Sequence, residues 1–269
     1  MDVSLPLTKR ASPQHADTRV SKTEIPQYRR RAIFAVWAAA ALPMGALAWV
    51  VAPALADLFA GEGNVPMAKA LLASLAVGLV WQFVLVLILV WREQGTVRWS
   101  VLRDALWLRS PRSPRSGRVG GRLWLLLIPL IVLFAAEEFL PNLYPAPASH
   151  DMVAFLGSDA AASFFDGNWF WFGLIAVQLI FNTVLGEELL FRGFLLPRIN
   201  GAFGRGDWLA NGVLFAAYHL HMPWSMLASL ADAFIIAYPT KRYRSAWIGI
   251  AVHSAQSVVV AVLVLTLVV

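Results

Sequence analysis

Three polar clusters interrupt otherwise apolar stretches in the second half of the chain: Gly186-Glu187-Glu188-Leu189-Leu190-Phe191-Arg192-Gly193, Phe215-Ala216-Ala217-Tyr218-His219 and His253-Ser254-Ala255-Gln256-Ser257. Carboxylates and imidazoles are the side chains that most often move protons at a reacting centre. On a helix Glu188 and Arg192 share a face and can pair, which keeps both charges tolerable among apolar neighbours. Glu187 is turned away from that pair by about 100° and is left to face a cavity, the setting of a general base. Phe215 and His219 share a face, so the ring can floor a pocket holding the imidazole. His253 and Ser257 share another and offer donors to a developing oxyanion. Cysteine is absent, which excludes disulfides, thiolate metal sites and cysteine nucleophiles.

The elements that must position these residues are membrane helices. The chain is 59% hydrophobic and 14% charged, too little charge to cover a soluble protein of 269 residues. A hydrocarbon core of about 30 Å needs about 20 apolar helical residues. On that length an all-α, polytopic transmembrane helical bundle of about seven spans is predicted. The first four run from about Ala32 to Leu58, Met67 to Trp91, Leu123 to Leu140 and Trp169 to Leu196. The fifth and sixth, about Trp208 to His221 and Ser225 to Tyr238, are short for full crossings and are expected inside the bundle; the seventh is Ala246 to Val269. Residues 1–31 read as a disordered cytoplasmic tail and not as a cleavable signal. Region 32–168 is then an N-terminal transmembrane region, and 169–269 a catalytic core. Segment 92–122 carries eight arginines and the repeat Ser110-Pro111-Arg112-Ser113-Pro114-Arg115. With Val97, Val101, Ala105 and Leu108 at helical spacing it reads as amphipathic on an anionic membrane surface, its Ser-Pro half equally as a solvated loop. Pro141 to Asn168 holds no Lys or Arg, and Phe155, Phe164 and Phe165 are expected at the membrane interface.

A cytoplasmic N-terminus puts 21 of the 22 Lys and Arg on the inner side or at its edge, leaving Lys69 outside. Basic charge here is a topology signal, which argues against a nucleic-acid partner. Glu187 lies nine residues before Leu196, His219 eleven after Trp208 and His253 seven after Ala246. At about 1.5 Å per residue all three sit roughly 10–17 Å below the cytoplasmic surface, so three helices can converge on one cavity with access from that side. Bland readings stand beside this one. The glutamate pair with Arg192 would also serve as a structural clamp between helices. A lone intramembrane histidine usually bonds within the core, and His221 is read so. Glu137-Glu138 is read as interfacial, and Asp232 is a further candidate for the cavity wall.

The order Glu187-Glu188-x-x-x-Arg192, Phe215-x-x-x-His219 and a histidine on the last core helix resembles the CPBP family: CAAX proteases and bacteriocin-processing enzymes, also called Abi. Its eukaryotic members are the Ras-converting, type II CAAX prenyl endopeptidases. The similarity covers about Trp169 to Val260. It implies an intramembrane protease in which Glu187 activates water with His219 while His253 helps form the oxyanion hole. Candidate catalytic residues are Glu187, Glu188, His219 and His253, supported by Arg192, Phe215, Gln256 and Ser257. The family's last motif is usually His-x-x-x-Asn; here Ser257 takes the Asn position, with Gln256 beside it. A zinc ion on Glu187, His219 and His253 is the alternative to a cofactor-free site. The missing His-Glu-x-x-His pair, and the lack of a separate base if Glu187 were a ligand, favour no metal. Expected partners are membrane lipids and a peptide or protein substrate, lipidated or bearing a C-terminal sorting tail. The expected location is the bacterial cytoplasmic membrane. Competing functions are a non-enzymatic immunity or scaffold protein of this fold and a proton-coupled transporter, though no inverted repeat supports the latter.

Overall fold

A computed structural model describes residues 24–269, and among them the regular elements are all helical. We number them α1 (Arg30–Ala56), α2 (Val65–Gln94), α3 (Trp99–Ala105), α4 (Leu127–Ala135), α5 (Met152–Leu156), α6 (Asp159–Phe165), α7 (Trp169–Arg198), α8 (Asp207–Tyr218), α9 (residues 226–243) and α10 (Ala246–Val268). Four of these, α1, α2, α7 and α10, are long and apolar enough to cross a membrane. The predicted third span is α-helical only over α4, with 3₁₀ turns at Gly121–Leu126 and Ala136–Phe139. Proline and glycine punctuate the long helices. Pro66 opens α2 and Gly95, at φ 68°, closes it in the left-handed conformation that only glycine adopts freely. Pro53 in α1 follows a π turn at Leu47–Val51, where the missing N–H loosens the ladder.

Lipid removes most of the hydrophobic drive for helix association, so close packing and buried polar contacts must hold such a bundle. At Gly212 of α8 an added Cβ would overlap Ala233 of α9, and at Gly78 of α2 it would overlap Met44 of α1. Trp37 of α1 donates from Nε1 to the carbonyl of Leu214 at 2.8 Å. The arginine-bearing segments meet at one end of the bundle. There the fully buried Arg198 forks onto Glu93 with Nε 2.9 and 3.0 Å from its two oxygens, and Tyr28 donates to the same carboxylate.

Three surface expectations change. The predicted tail falls largely on residues 1–23, outside the described residues. Its last part is docked: the Tyr28 amide bonds Arg198 O at 2.8 Å and Gln27 Nε2 bonds Pro197 O at 3.1 Å. The Ser-Pro half of 92–122 is fastened too, with the Arg112 amide 2.9 Å from Tyr243 O and Ser245 Oγ 2.6 Å from Arg109 O. At the opposite end, Phe155 and Phe165 are not interfacial. Asp151 and Ser158 cap α5 and α6, whose rings then bury against Ile175, Val264 and Val268.

Candidate active site

Glu187 and Glu188 sit between two π-helical segments of α7, Phe181–Gly186 and Leu189–Leu195. Wider π turns often mark functional positions in helices, because they shift side chains off the α-helical register. Here the two carboxylates part company. Glu188, fully buried, lies 3.0 Å from Arg192 Nη1 through Oε1, and His253 Nδ1 lies 3.2 Å from the same oxygen. The guanidinium also stacks 3.8 Å above the Phe215 ring and reaches Asp232 at 4.0 Å. Glu187, only 2% exposed, has no cationic partner among the described residues. Its neighbour is the Tyr218 hydroxyl, which in turn receives a 2.6 Å bond from Gln82 Nε2 of α2.

His219 lies just beyond the end of α8, where the chain turns ahead of Pro223. Its Nδ1 bonds the carbonyl of Phe215 at 2.9 Å, satisfying a carbonyl that the helix end leaves free. A carbonyl only accepts, so Nδ1 carries the proton and Nε2 is a bare acceptor. The helix cap therefore sets the tautomer. On α10, Glu188 likewise draws a proton onto Nδ1 of His253. For Nε2 to donate as well, the ring must be an imidazolium, with Glu188 as its counter-charge.

A cavity of about 640 Å³ gathers Glu187, Phe215, His219, His253, Gln256 and Ser257. Among the described residues no group of three or more His, Asp or Glu is gathered closely enough to hold a metal ion. The proposed oxyanion donors are engaged elsewhere. Ser257 Oγ donates to Thr183 Oγ1 at 3.3 Å, and Gln256 Nε2 donates to Glu138 at 2.6 Å.

Three expectations are corrected. His221 is not a satisfied core histidine: it lines the cavity stacked 5.4 Å from His219, and its buried Nδ1 has no partner. Glu137 is not interfacial but buried in the cavity wall, beside Asp232. The cavity does not extend to the arginine-bearing end, where Leu190, Phe191, Phe194 and Leu195 pack without solvent exposure. The cavity instead runs towards Asn142, Asp151 and Val153 at the opposite end. Tyr218, Gln82 and Thr183 escaped sequence reading because uncharged polar residues are common in apolar helices. Gly249 escaped it too, although a Cβ there would overlap the Glu188 carboxylate.

Neither the curated proteins nor the solved structures contain a match to this chain. Residues 167–259 match the family model of the type II CAAX prenyl endopeptidase Rce1-like proteins, so the segment holding Glu187, His219 and His253 is similar to the CPBP, or CAAX protease, family.

Proposed function

We propose that the chain is an intramembrane endopeptidase in which Glu187 activates water against a peptide bond near a substrate's membrane-proximal or C-terminal segment. The observation that carries this reading is the division between the adjacent glutamates. Glu188 is taken up by Arg192 and His253, while Glu187 keeps a carboxylate without a salt-bridge partner in the cavity that holds the His219 and His253 imidazoles. A base needs a lone pair not already spent on a salt bridge.

In the proposed reaction a water sits between Glu187 and Nε2 of His219. Its oxygen attacks the scissile carbonyl carbon as Glu187 takes one proton. The carbonyl oxygen becomes an oxyanion facing the His253 imidazolium, whose charge Glu188 offsets. On collapse the carbon–nitrogen bond breaks, and Glu187 returns its proton to the leaving amine. No metal enters these steps. The finer architecture belongs to the same reading: seven spans with α8 and α9 inside the bundle, a cytoplasmic N-terminus, and a place in a bacterial cytoplasmic membrane.

Glu187→Gln tests the proposal. It keeps volume and packing but removes the base, so the protein should insert and fold at the parent level. Membrane proteomes of cells expressing parent and variant should then differ in peptides with new ends. Identical peptide ends would reject the peptidase and leave a peptide-binding protein of this fold, a reading that the hydrogen bonds already made by Ser257 and Gln256 would then favour.

A further inference from the structure

The cavity wall contains carboxylates that the proposed reaction does not use. Glu137 and Asp232 line it, each more than nine-tenths buried, and Glu137 Oε1 and Asp232 Oδ1 bond nothing among the described residues. Nearer the mouth are Glu138, which accepts from Gln256, and Asp151, whose Oδ1 caps α5 at the Ala154 amide. Among the described residues no Lys or Arg lines the cavity. The nearest cation, Arg192, is fully buried, 4.0 Å from Asp232, and already shared with Glu188. A buried Glu137 with no cation beside it, and an Asp232 that meets Arg192 only at 4.0 Å through Oδ2, are costly unless something arrives to bond their free oxygens. What fits is a donor-rich cation brought by the substrate.

We propose that the substrate enters from the end of the bundle opposite the arginine-bearing segments, the extracytoplasmic side, and that Glu137 and Asp232 receive a lysine or arginine side chain next to the scissile bond. This deepens the peptidase reading and rests on it. Glu138 and Asp151 at the mouth steer the same charge inward. The substrate class is then a membrane-anchored segment with a basic residue on its extracytoplasmic side. A segment presented from the cytoplasm meets the packed phenylalanines below Glu187 instead.

The absence of cysteine gives a clean test of side. Val153→Cys, at the mouth, should react with a membrane-impermeant maleimide on intact cells, and Ser116→Cys, in the arginine-bearing segment, only after lysis. The reverse pattern overturns entry from the outside. Charge selection is tested by binding, without turnover. Purified full-length Glu187→Gln protein is titrated with a fluorescein-labelled membrane peptide carrying lysine, and with its glutamine counterpart, and followed by anisotropy. The lysine peptide should bind about tenfold more tightly, the scale of one partly desolvated ion pair. Adding Glu137→Gln should erase most of that ratio, and Asp232→Asn likewise; if the latter fails to fold, Glu137→Gln carries the result. Equal binding of the two peptides overturns the cation-binding pocket. Cleavage without charge preference leaves the peptidase standing and removes this proposal, whereas charge-selective binding by a chain that cuts nothing does the reverse.

Discussion

At the residue scale the second oxyanion donor is a choice between Ser257 and Gln256, both hydrogen-bonded to other side chains. An oxyanion-hole donor is worth about 3 kcal/mol of transition-state stabilisation. Ser257 now donates to Thr183, so to serve it must rotate by one rotamer, which leaves Thr183 to its 3.0 Å bond with Leu179 O. Ser257→Ala should then lower kcat roughly a hundredfold, and Ser257→Asn should match or exceed the parent. If Gln256 leaves Glu138 to supply the donor, Gln256→Ala carries the loss and Ser257→Ala is nearly silent. His253→Ala is damaging in both cases. A full set of active variants, measured as cleavage rates in detergent, would remove α10 from the chemistry. If Glu187 works as a base, dialysis against a chelator should leave activity intact; loss restored by zinc alone would make it a ligand.

At the element scale the site depends on how closely α10 approaches α7. Gly249 faces Glu188, and its missing Cβ is the space the carboxylate occupies. Gly249→Ala should expel Glu188 from its contacts with Arg192 and His253. Overpacking of this kind costs about 1–3 kcal/mol, and it strands the buried guanidinium as well. The yield of folded protein in detergent should therefore fall, as it should for Arg192→Ala and Glu188→Gln. Gly173→Ala on the same α7 meets nothing within 4 Å and should be neutral. Equal yields across these variants would show that the ion pair is not structural.

At the scale of the whole molecule, ionic latches at the basic end tie distant segments together. Asp207 opens α8 and holds Lys241 of α9 at 2.9 Å, with the amides of Gly201 and Phe203 on its two oxygens. Burial pushes this carboxyl up, but Lys241 and the two amides together hold it below the ordinary value of 3.8. A carboxyl depressed by folding adds stability that is full above its unfolded value and is lost as the pH falls through its folded one. Asp207→Asn should thus cost about 1–3 kcal/mol at neutral pH, seen as a lower Tm in detergent. The gap between variant and parent should narrow below about pH 4. A gap constant down to pH 2.5 would mean that the carboxylate's charge contributes nothing.

The sequence by itself determined the helical class, the basic end and the residues that meet. Apolar runs admit no other backbone solution in lipid, and charge at membrane depth is too costly to be placed idly. Equal helical depth was enough to bring Glu187, His219 and His253 to one cavity. Only the tertiary structure decided which way that cavity opens, because packing of Phe191 and Phe194 against other helices closes the near end. It also decided the role of Glu137. A carboxylate near a span's end looks interfacial in sequence, and only the neighbouring helices bury it against Asp232. The tautomer of His219 depended on a helix ending at Tyr218. That leaves no periodicity in the sequence, since it arises where local hydrogen bonds yield to contacts between helices.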